Sequence, residues 1–159
     1  MLTLSKRRVG ALIVVERKIG LKDVIETGTV LNARVSAPLL ENIFEPNTPL
    51  HDGAVVIRGT GIKAAACILP LTENKSVDRE LGTRHRAAMG VTETTDAISL
   101  IVSEETGAIS YASHGNIVRH LDRAALEKVL EELFPVESEH FMDQLKKKTA
   151  QQKAGGKHE

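Results

Sequence analysis

Short apolar runs rich in β-branched residues recur along this chain, and each is bounded by glycine, proline or polar residues. The runs are VGALIVVE (9–16), TVLNARV (29–35), AVVIR (54–58), IKAAACILPL (62–71), AISLIVS (97–103) and AISYA (108–112). Segments of this length and composition predict buried strands. The glycine-containing links at 59–61 and around Gly107 predict two tight hairpins, so the sheet is expected to be at least partly antiparallel. No run reaches the roughly 20 apolar residues that a membrane helix needs.

Helices are predicted between these strands. Ser36 is a good N-cap for APLLENIFE, Thr83 for the segment that follows Gly82, and Asp122 for RAALEKVLEELF. The resulting expectation is an α/β fold, with one domain built on a central mixed β-sheet flanked by helices. Residues 1–8 are expected to be a linker or the cut edge of a longer protein, residues 9–134 the folded domain, and residues 135–159 a partly disordered tail.

Composition excludes several classes of function. Lysine plus arginine equals aspartate plus glutamate at 21 each, so no overall field attracts nucleic acid. Aromatic residues make up 3%, too few for a platform on which bases stack. The single Cys67 is interpreted as a buried structural thiol, and with no secretory signal the chain is expected in a reducing compartment. The P-loop, GxGxxG, HExxH and GxSxG signatures do not occur.

The sequence LHDGAVVI places His51 and Asp52 directly before a glycine at the mouth of an apolar strand. An imidazole and a carboxylate side by side are suited to holding a metal, and Gly53 lets the backbone approach a ligand closely. Asp-Gly is also a very common turn dipeptide, so an ordinary turn is the competing interpretation.

The sequence GTRHRAAMG puts Arg84, His85 and Arg86 in the first turn of a predicted helix. The dipole is already positive there, so two guanidinium groups are unfavourable unless an anion binds. A phosphate would accept bonds from the backbone N–H groups and from the arginines. The alternative is a solvated face with an arginine paired to Asp78 or Glu80.

The sequence VSEETG places Ser103, Glu104 and Glu105 where a buried strand leads into a hairpin. One of these carboxylates is a candidate for the same site. Serine, glutamate and glycine are frequent in loops, so an ordinary turn is again the alternative.

In this order, GALIVVER, PLHDGAVVI, ILPL, LGTRHRAAMG and IVSEETGAIS resemble the diadenylate cyclase (DAC) domain family over roughly residues 9–134. The membrane-anchored bacterial type is the most similar. The combination of DGA and RHR at this separation is specific to that family. The resemblance implies the DAC fold and a metal-dependent enzyme that condenses two ATP molecules into 3′,5′-linked cyclic di-AMP and two pyrophosphates.

The resemblance also implies roles for individual residues. Asp52 would bind a divalent metal (Mn²⁺ or Mg²⁺, with Co²⁺ possible) and help activate the 3′-hydroxyl, and His51 would be a further ligand. The triphosphate would be held by residues of the basic helix start, namely Thr83, Arg84, His85 and Arg86. The remaining substrate contacts would come from Gly53, Ala54, the Leu69 backbone, Ser103 and Glu105.

The implied partners are a second copy of the chain in a head-to-head dimer, a membrane-bound regulator and phosphoglucosamine mutase. The implied location is the cytoplasmic face of the bacterial cell membrane, with this chain itself soluble. Two other functions stay open on the residues alone: a catalytically silent module that senses ATP or a cyclic dinucleotide, and a metal-dependent nucleotide hydrolase.

Overall fold

The computed structural model describes residues 1–135. Met1–Leu126 form one compact unit, and the described residues after Leu126 belong to a second. All strands of the described residues belong to the first unit, in one seven-stranded sheet of order β2-β4-β3-β1-β5-β6-β7. In chain order the strands are β1 Ala11–Val15, β2 Thr29–Arg34, β3 Ala54–Arg58, β4 Gly61–Cys67, β5 Ile98–Val102, β6 Ile109–Ser113 and β7 Asn116–Val118.

The helices are α1 Leu2–Arg7, α2 Lys22–Thr27, α3 Ala37–Ile43, α4 Thr83–Thr94 and α5 Arg123–Leu133. The sheet is mixed, because β1 and β3 are parallel while the other neighbouring strands are antiparallel. The predicted α/β class and the two hairpins, β3–β4 and β5–β6, are therefore confirmed. No helix in the described part of the chain is long and apolar enough to cross a membrane.

The centre of the sheet is covered on both sides. All five residues of β1 are buried, which explains why its sequence is continuously apolar rather than alternating. Helix α4 packs on one face, where Ala88 and Val91 join Leu12, Val56 and Ile101 in the hydrophobic core.

Helix α4 also lies very close to the chain that follows β4. A Cβ on Gly90 would stand 1.9 Å from the carbonyl oxygen of Pro70, so only glycine allows this approach. The Thr72 hydroxyl donates to a Glu93 carboxylate oxygen, and the Thr72 N–H donates to the Arg86 carbonyl. These contacts fix α4 to the segment that links it to β4.

Two helix N-caps are as predicted. The Ser36 hydroxyl oxygen accepts from the Leu39 N–H at 3.3 Å, and an Asp122 carboxylate oxygen accepts from the Ala125 N–H at 2.8 Å. The third prediction is wrong by one residue: Gly82 is the N-cap of α4 and Thr83 is its first helical residue.

The segment before residue 9, for which the sequence predicted a linker or the cut edge of a longer protein, contains a helix. Residues 2–7 form α1, whose Leu4 is 1% exposed. The Ser5 hydroxyl donates to the Gly107 carbonyl at 2.5 Å, which ties this helix to the β5–β6 turn. A single buried leucine among polar residues gives no visible helical periodicity, so the docking could not be read from the sequence. The predicted disordered tail lies outside the described residues, apart from Pro135.

Candidate active site

His51 and Asp52 lie in the turn that leads into β3. The Nδ1 atom of His51 is 2.6 Å from the carbonyl oxygen of Thr48. A carbonyl only accepts, so Nδ1 carries the proton and Nε2 has a free lone pair in the neutral ring. Metal-binding histidines commonly have their other ring nitrogen fixed in this way.

Gly53 closes this turn and has a backbone conformation that suits only glycine. Its φ is +106°, and a Cβ would lie 2.8 Å from both the Ala66 carbonyl carbon and the Cys67 carbonyl oxygen. The start of β3 is therefore pressed against the end of β4, and Asp52 is held at that junction by backbone packing.

The N-terminus of α4 has no capping side chain, because Gly82 has none. The first backbone bond of the helix runs from the Arg86 N–H to the Gly82 carbonyl, at 3.1 Å. The N–H groups of Thr83, Arg84 and His85 have no carbonyl partner within the helix. Free N–H donors and arginines at one helix start are suited to an anion, and the anion site that the sequence predicted here stays a prediction.

Arg84 is 21% exposed and its Nη1 lies 3.3 Å from Oε2 of Glu104. Its Nε is buried and has no hydrogen-bond partner among the described residues. A buried donor without a partner is unfavourable, so this arginine is not held here for stability alone. The alternative pairing is wrong for Arg84, because Asp78 and Glu80 instead contact Arg119, at 3.3 and 3.8 Å.

The acidic turn and the basic helix start line the same cleft, whose volume is about 660 Å³. His51, Asp52 and Gly53 contribute one side, and Thr83 and Arg84 contribute another. Leu69, 7% exposed, and the highly exposed Ile68 are further lining residues. The structure thus brings together the two segments that the sequence predicted to share a site, while their metal-binding and phosphate-binding roles stay predictions.

Ser103, Glu105 and His85 do not line that cleft. They surround a smaller cavity of about 110 Å³, which Thr83 and Arg84 also line. The same three residues line a third cavity of about 370 Å³ that extends to Arg119. The α4 N-terminus therefore separates the Asp52 cleft from a second polar region.

Two predicted contacts receive no support from the geometry. Arg86 lines none of these three cavities, because successive residues of a helix point in different directions. Ala54 is 0% exposed, so its side chain packs in the core and not against a ligand.

Two residues that contact Arg84 received no assigned role from the sequence. Glu104 lines both the cleft and the smaller cavity; it was one of the two candidate carboxylates of VSEETG, but the resemblance implied roles only for Ser103 and Glu105. Gly10 lies so close to the Arg84 guanidinium that a Cβ would stand 2.5 Å from Nη1. The acidic pair of VSEETG indicates Glu104 as a candidate. No feature of the sequence indicates a contact between residues 10 and 84.

Burial sets the protonation of His85, which is 8% exposed. The pKa of His85 is lowered by desolvation first, and then by the positive charges of Arg119 and Arg84. The ring is therefore mainly neutral near pH 7. Burial also raises the pKa of the Cys67 thiol to about 11, which agrees with a structural role.

The donor set suits a divalent cation in part. His51 Nε2 and the Asp52 carboxylate are adjacent in sequence and both residues line the cleft. The described residues include no cluster of three or more metal-binding side chains. A cation here would need oxygen ligands from the substrate or water, as Mg²⁺ commonly does beside phosphates.

Residues 1–117 match the family model described as DisA bacterial checkpoint controller nucleotide-binding (DAC). The chain belongs to this DAC family. Similar curated relatives include the cyclic di-AMP synthase CdaA of Bacillus subtilis, 56% identical over 131 residues, which are 82% of this chain and 48% of that protein. A diadenylate cyclase of Listeria monocytogenes is 54% identical over 127 residues, 80% of this chain and 46% of the relative. The chain spans about half the length of these DAC relatives.

Solved structures share the same DAC fold. A crystal structure of a double mutant of DacA from Staphylococcus aureus has a TM-score of 0.82 and 48% identity, covering 84% of this chain and 89% of that one. A hypothetical membrane spanning protein from Bacillus cereus has a TM-score of 0.73 and 56% identity, covering 76% of this chain and 59% of that one.

Proposed function

We propose that this chain is the catalytic part of a diadenylate cyclase, which condenses two ATP molecules into cyclic di-AMP and two pyrophosphates. One observation carries the proposal: the Asp52 carboxylate and the Arg84 guanidinium line a single cleft of about 660 Å³. Nucleotidyl transfer needs an acidic group near the attacking oxygen and cationic groups near the leaving phosphates, and this cleft provides both. The curated relatives named above are a cyclic di-AMP synthase and a diadenylate cyclase.

In the reaction, the 3′-oxygen of one ATP attacks the α-phosphorus of the other and pyrophosphate leaves in line. Asp52 lies beside the attacking 3′-hydroxyl and favours loss of its proton, while Thr83 and Arg84 bind the triphosphate at the helix start. Ser103 and Glu105 lie beyond Arg84 and complete the phosphate side. The exposed Ile68 and the backbone at Leu69 lie against the adenine.

The residues that would hold a divalent cation are Asp52 and His51 Nε2. A cation bound there would supply positive charge that lowers the pKa of the hydroxyl and neutralises phosphate oxygens. Neutral His51 is required for this, and the hydrogen bond from Nδ1 to Thr48 leaves Nε2 available. Mn²⁺, Mg²⁺ and Co²⁺ are the candidates to compare.

The active form is proposed to be a dimer. The product is two-fold symmetric and each ATP is both nucleophile and electrophile, so two identical clefts facing across a C₂ axis satisfy the chemistry. Each chain then holds half of the reaction centre. Specific activity is expected to fall on dilution; a constant specific activity down to very dilute enzyme would contradict the dimer.

The membrane-anchored type is proposed for the full-length protein, at the cytoplasmic face, with a membrane-bound regulator and phosphoglucosamine mutase as partners. The resemblance of the motifs to that type supports this, together with the similarity to a hypothetical membrane spanning protein.

Incubation with ATP and Mn²⁺, followed by chromatographic separation of the nucleotides, tests the activity. Cyclic di-AMP with stoichiometric pyrophosphate is the expected result. Binding of ATP without turnover would instead identify a sensing module. Formation of ADP or AMP would identify a nucleotide hydrolase, and either result would overturn the proposal.

A further inference from the structure

We propose that Gly10 is a positioning residue for Arg84, a role that rests on the function proposed above. The hydrogen atom in place of a side chain at residue 10 gives the Arg84 guanidinium its position in the cleft. Any larger residue would move that group away from the phosphates.

The contact is direct. An ideal Cβ on Gly10 would lie 2.5 Å from Nη1, 2.6 Å from Cζ and 3.0 Å from Nη2 of Arg84, and these are its three nearest atoms. Gly10 is buried immediately before β1, so the backbone at the start of the central strand forms the surface on which the guanidinium lies. Nη1 is also the atom that contacts Glu104 at 3.3 Å.

The contact is specific to the arginine and not a general packing requirement. At Gly28, Gly53, Gly90 and Gly107 the nearest atom to an added Cβ belongs to the backbone of another segment. At Gly10 all three nearest atoms belong to the far end of one long side chain. A guanidinium can rotate away from a methyl group, whereas a backbone segment cannot, so alanine at residue 10 leaves the fold intact.

The backbone also permits alanine. Gly10 has no left-handed φ, unlike Gly53, Gly59, Gly107 and Gly115. Replacing glycine where alanine can adopt the native conformation is neutral or slightly stabilising. The effect of Gly10→Ala is therefore confined to where the guanidinium lies, which must shift by about 1 Å to restore normal contact distances.

Gly20→Ala is the matched control, because an added Cβ there meets nothing within 4 Å. Both variants are compared with wild type by calorimetric titration of ATP in the presence of Mn²⁺, by initial rates of cyclic di-AMP formation, and by thermal unfolding. Gly10→Ala is expected to weaken ATP binding about 10-fold and to lower kcat/KM by about 10- to 100-fold, with an unchanged Tm. Gly20→Ala is expected to match wild type.

A double-mutant cycle tests whether the effect passes through Arg84. In an Arg84→Ala background the guanidinium is absent, so adding Gly10→Ala is expected to change ATP binding by less than about 2-fold. An equal loss in both backgrounds would overturn the proposal, as would wild-type ATP binding in Gly10→Ala. A large drop in the Tm of Gly10→Ala would show a packing role and would overturn it as well.

Measuring ATP binding and turnover separately distinguishes a failure of this inference from a failure of the proposed function. If wild type binds ATP but forms no cyclic di-AMP, the proposed reaction fails, while the titrations in the cycle still decide the role of Gly10. If wild type forms cyclic di-AMP and the cycle shows no coupling, Gly10 loses its role and the cyclase assignment stands.

Discussion

The two sides of the cleft are built in different ways. Asp52 is held by backbone: the positive φ of Gly53 and its close contact with the end of β4 fix the turn. Arg84 is held by side-chain contacts, because its guanidinium lies between Gly10 and the carboxylate of Glu104. The acidic side is therefore fixed by backbone packing, while the position of the basic side depends on side chains that can change rotamer. Substitutions that alter the backbone of the acidic side should lower the stability of the fold, whereas substitutions around Arg84 should change the affinity for ATP.

The largest effect is expected from removing the charge of the acidic side without touching its backbone. Asp52→Asn should lower cyclic di-AMP formation by at least about 10³-fold, because an amide binds a cation weakly and favours deprotonation of the hydroxyl little. Its Tm should match wild type, since the Asp52 side chain is exposed. Asp23→Asn, on the exposed first turn of α2, is the control and should retain full activity. Activity retained by Asp52→Asn would remove Asp52 from the mechanism.

The backbone of the acidic side is tested by Gly53→Ala. A non-glycine residue at φ +106° is strained, and its Cβ would overlap the β4 backbone, so the free energy of unfolding should fall by roughly 3 kcal/mol. Gly59→Ala is the control, because it shares a positive φ of +58° but its Cβ would meet nothing within 4 Å. Gly59→Ala should lower the free energy of unfolding by about 1 kcal/mol. Urea unfolding compares the two; equal losses would mean that conformational strain, and not contact with β4, explains the glycine.

Much of this architecture could be predicted from local sequence. The apolar runs predicted the strands, and Gly107, whose φ is +76°, predicted the β5–β6 turn. Ser36 and Asp122 predicted two helix caps. Each of these signals depends on residues close together in the chain. The closeness of Asp52 and the α4 start in one cleft was also predicted, from two arginines in a first helical turn that conflict with the helix dipole unless an anion binds.

The missed features depend on contacts between distant segments. Gly10 and Arg84 are far apart in sequence, and no local pattern marks a glycine that accommodates an arginine. Helix α1 buries Leu4 and is tied to the Gly107 turn by the hydrogen bond from Ser5. Strand β7 is an edge strand of only three residues. The exclusion of Arg86 from the cavities follows from how α4 is rotated on the sheet, which only the tertiary packing determines.

His85 gives the basic side a dependence on pH. Its pKa in the folded chain lies below the ordinary value of 6.5, so folding disfavours the protonated ring. The stability that His85 contributes is therefore complete above pH 6.5 and is lost as the pH falls through the folded pKa. In thermal unfolding, the Tm of wild type should decline as the pH falls through this range. The decline in Tm should be shallower in His85→Gln. The Tm of His120→Asn, at an exposed histidine, should decline with pH as that of wild type does. If the Tm of His85→Gln declines as steeply as that of wild type, groups other than His85 cause the decline.

The smallest effect is expected at the contact between Glu104 and Arg84. Glu104 is exposed and its ion pair with Arg84 is only partly buried, so the pair is worth at most about 1 kcal/mol. If the carboxylate competes with the triphosphate for the guanidinium, Glu104→Gln should tighten ATP binding about 2- to 5-fold. Glu26→Gln, at an exposed glutamate of α2, controls for the general loss of one negative charge. Weaker ATP binding in Glu104→Gln would reverse the interpretation, because Glu104 would then orient Arg84 and the basic side would be preorganised like the acidic one.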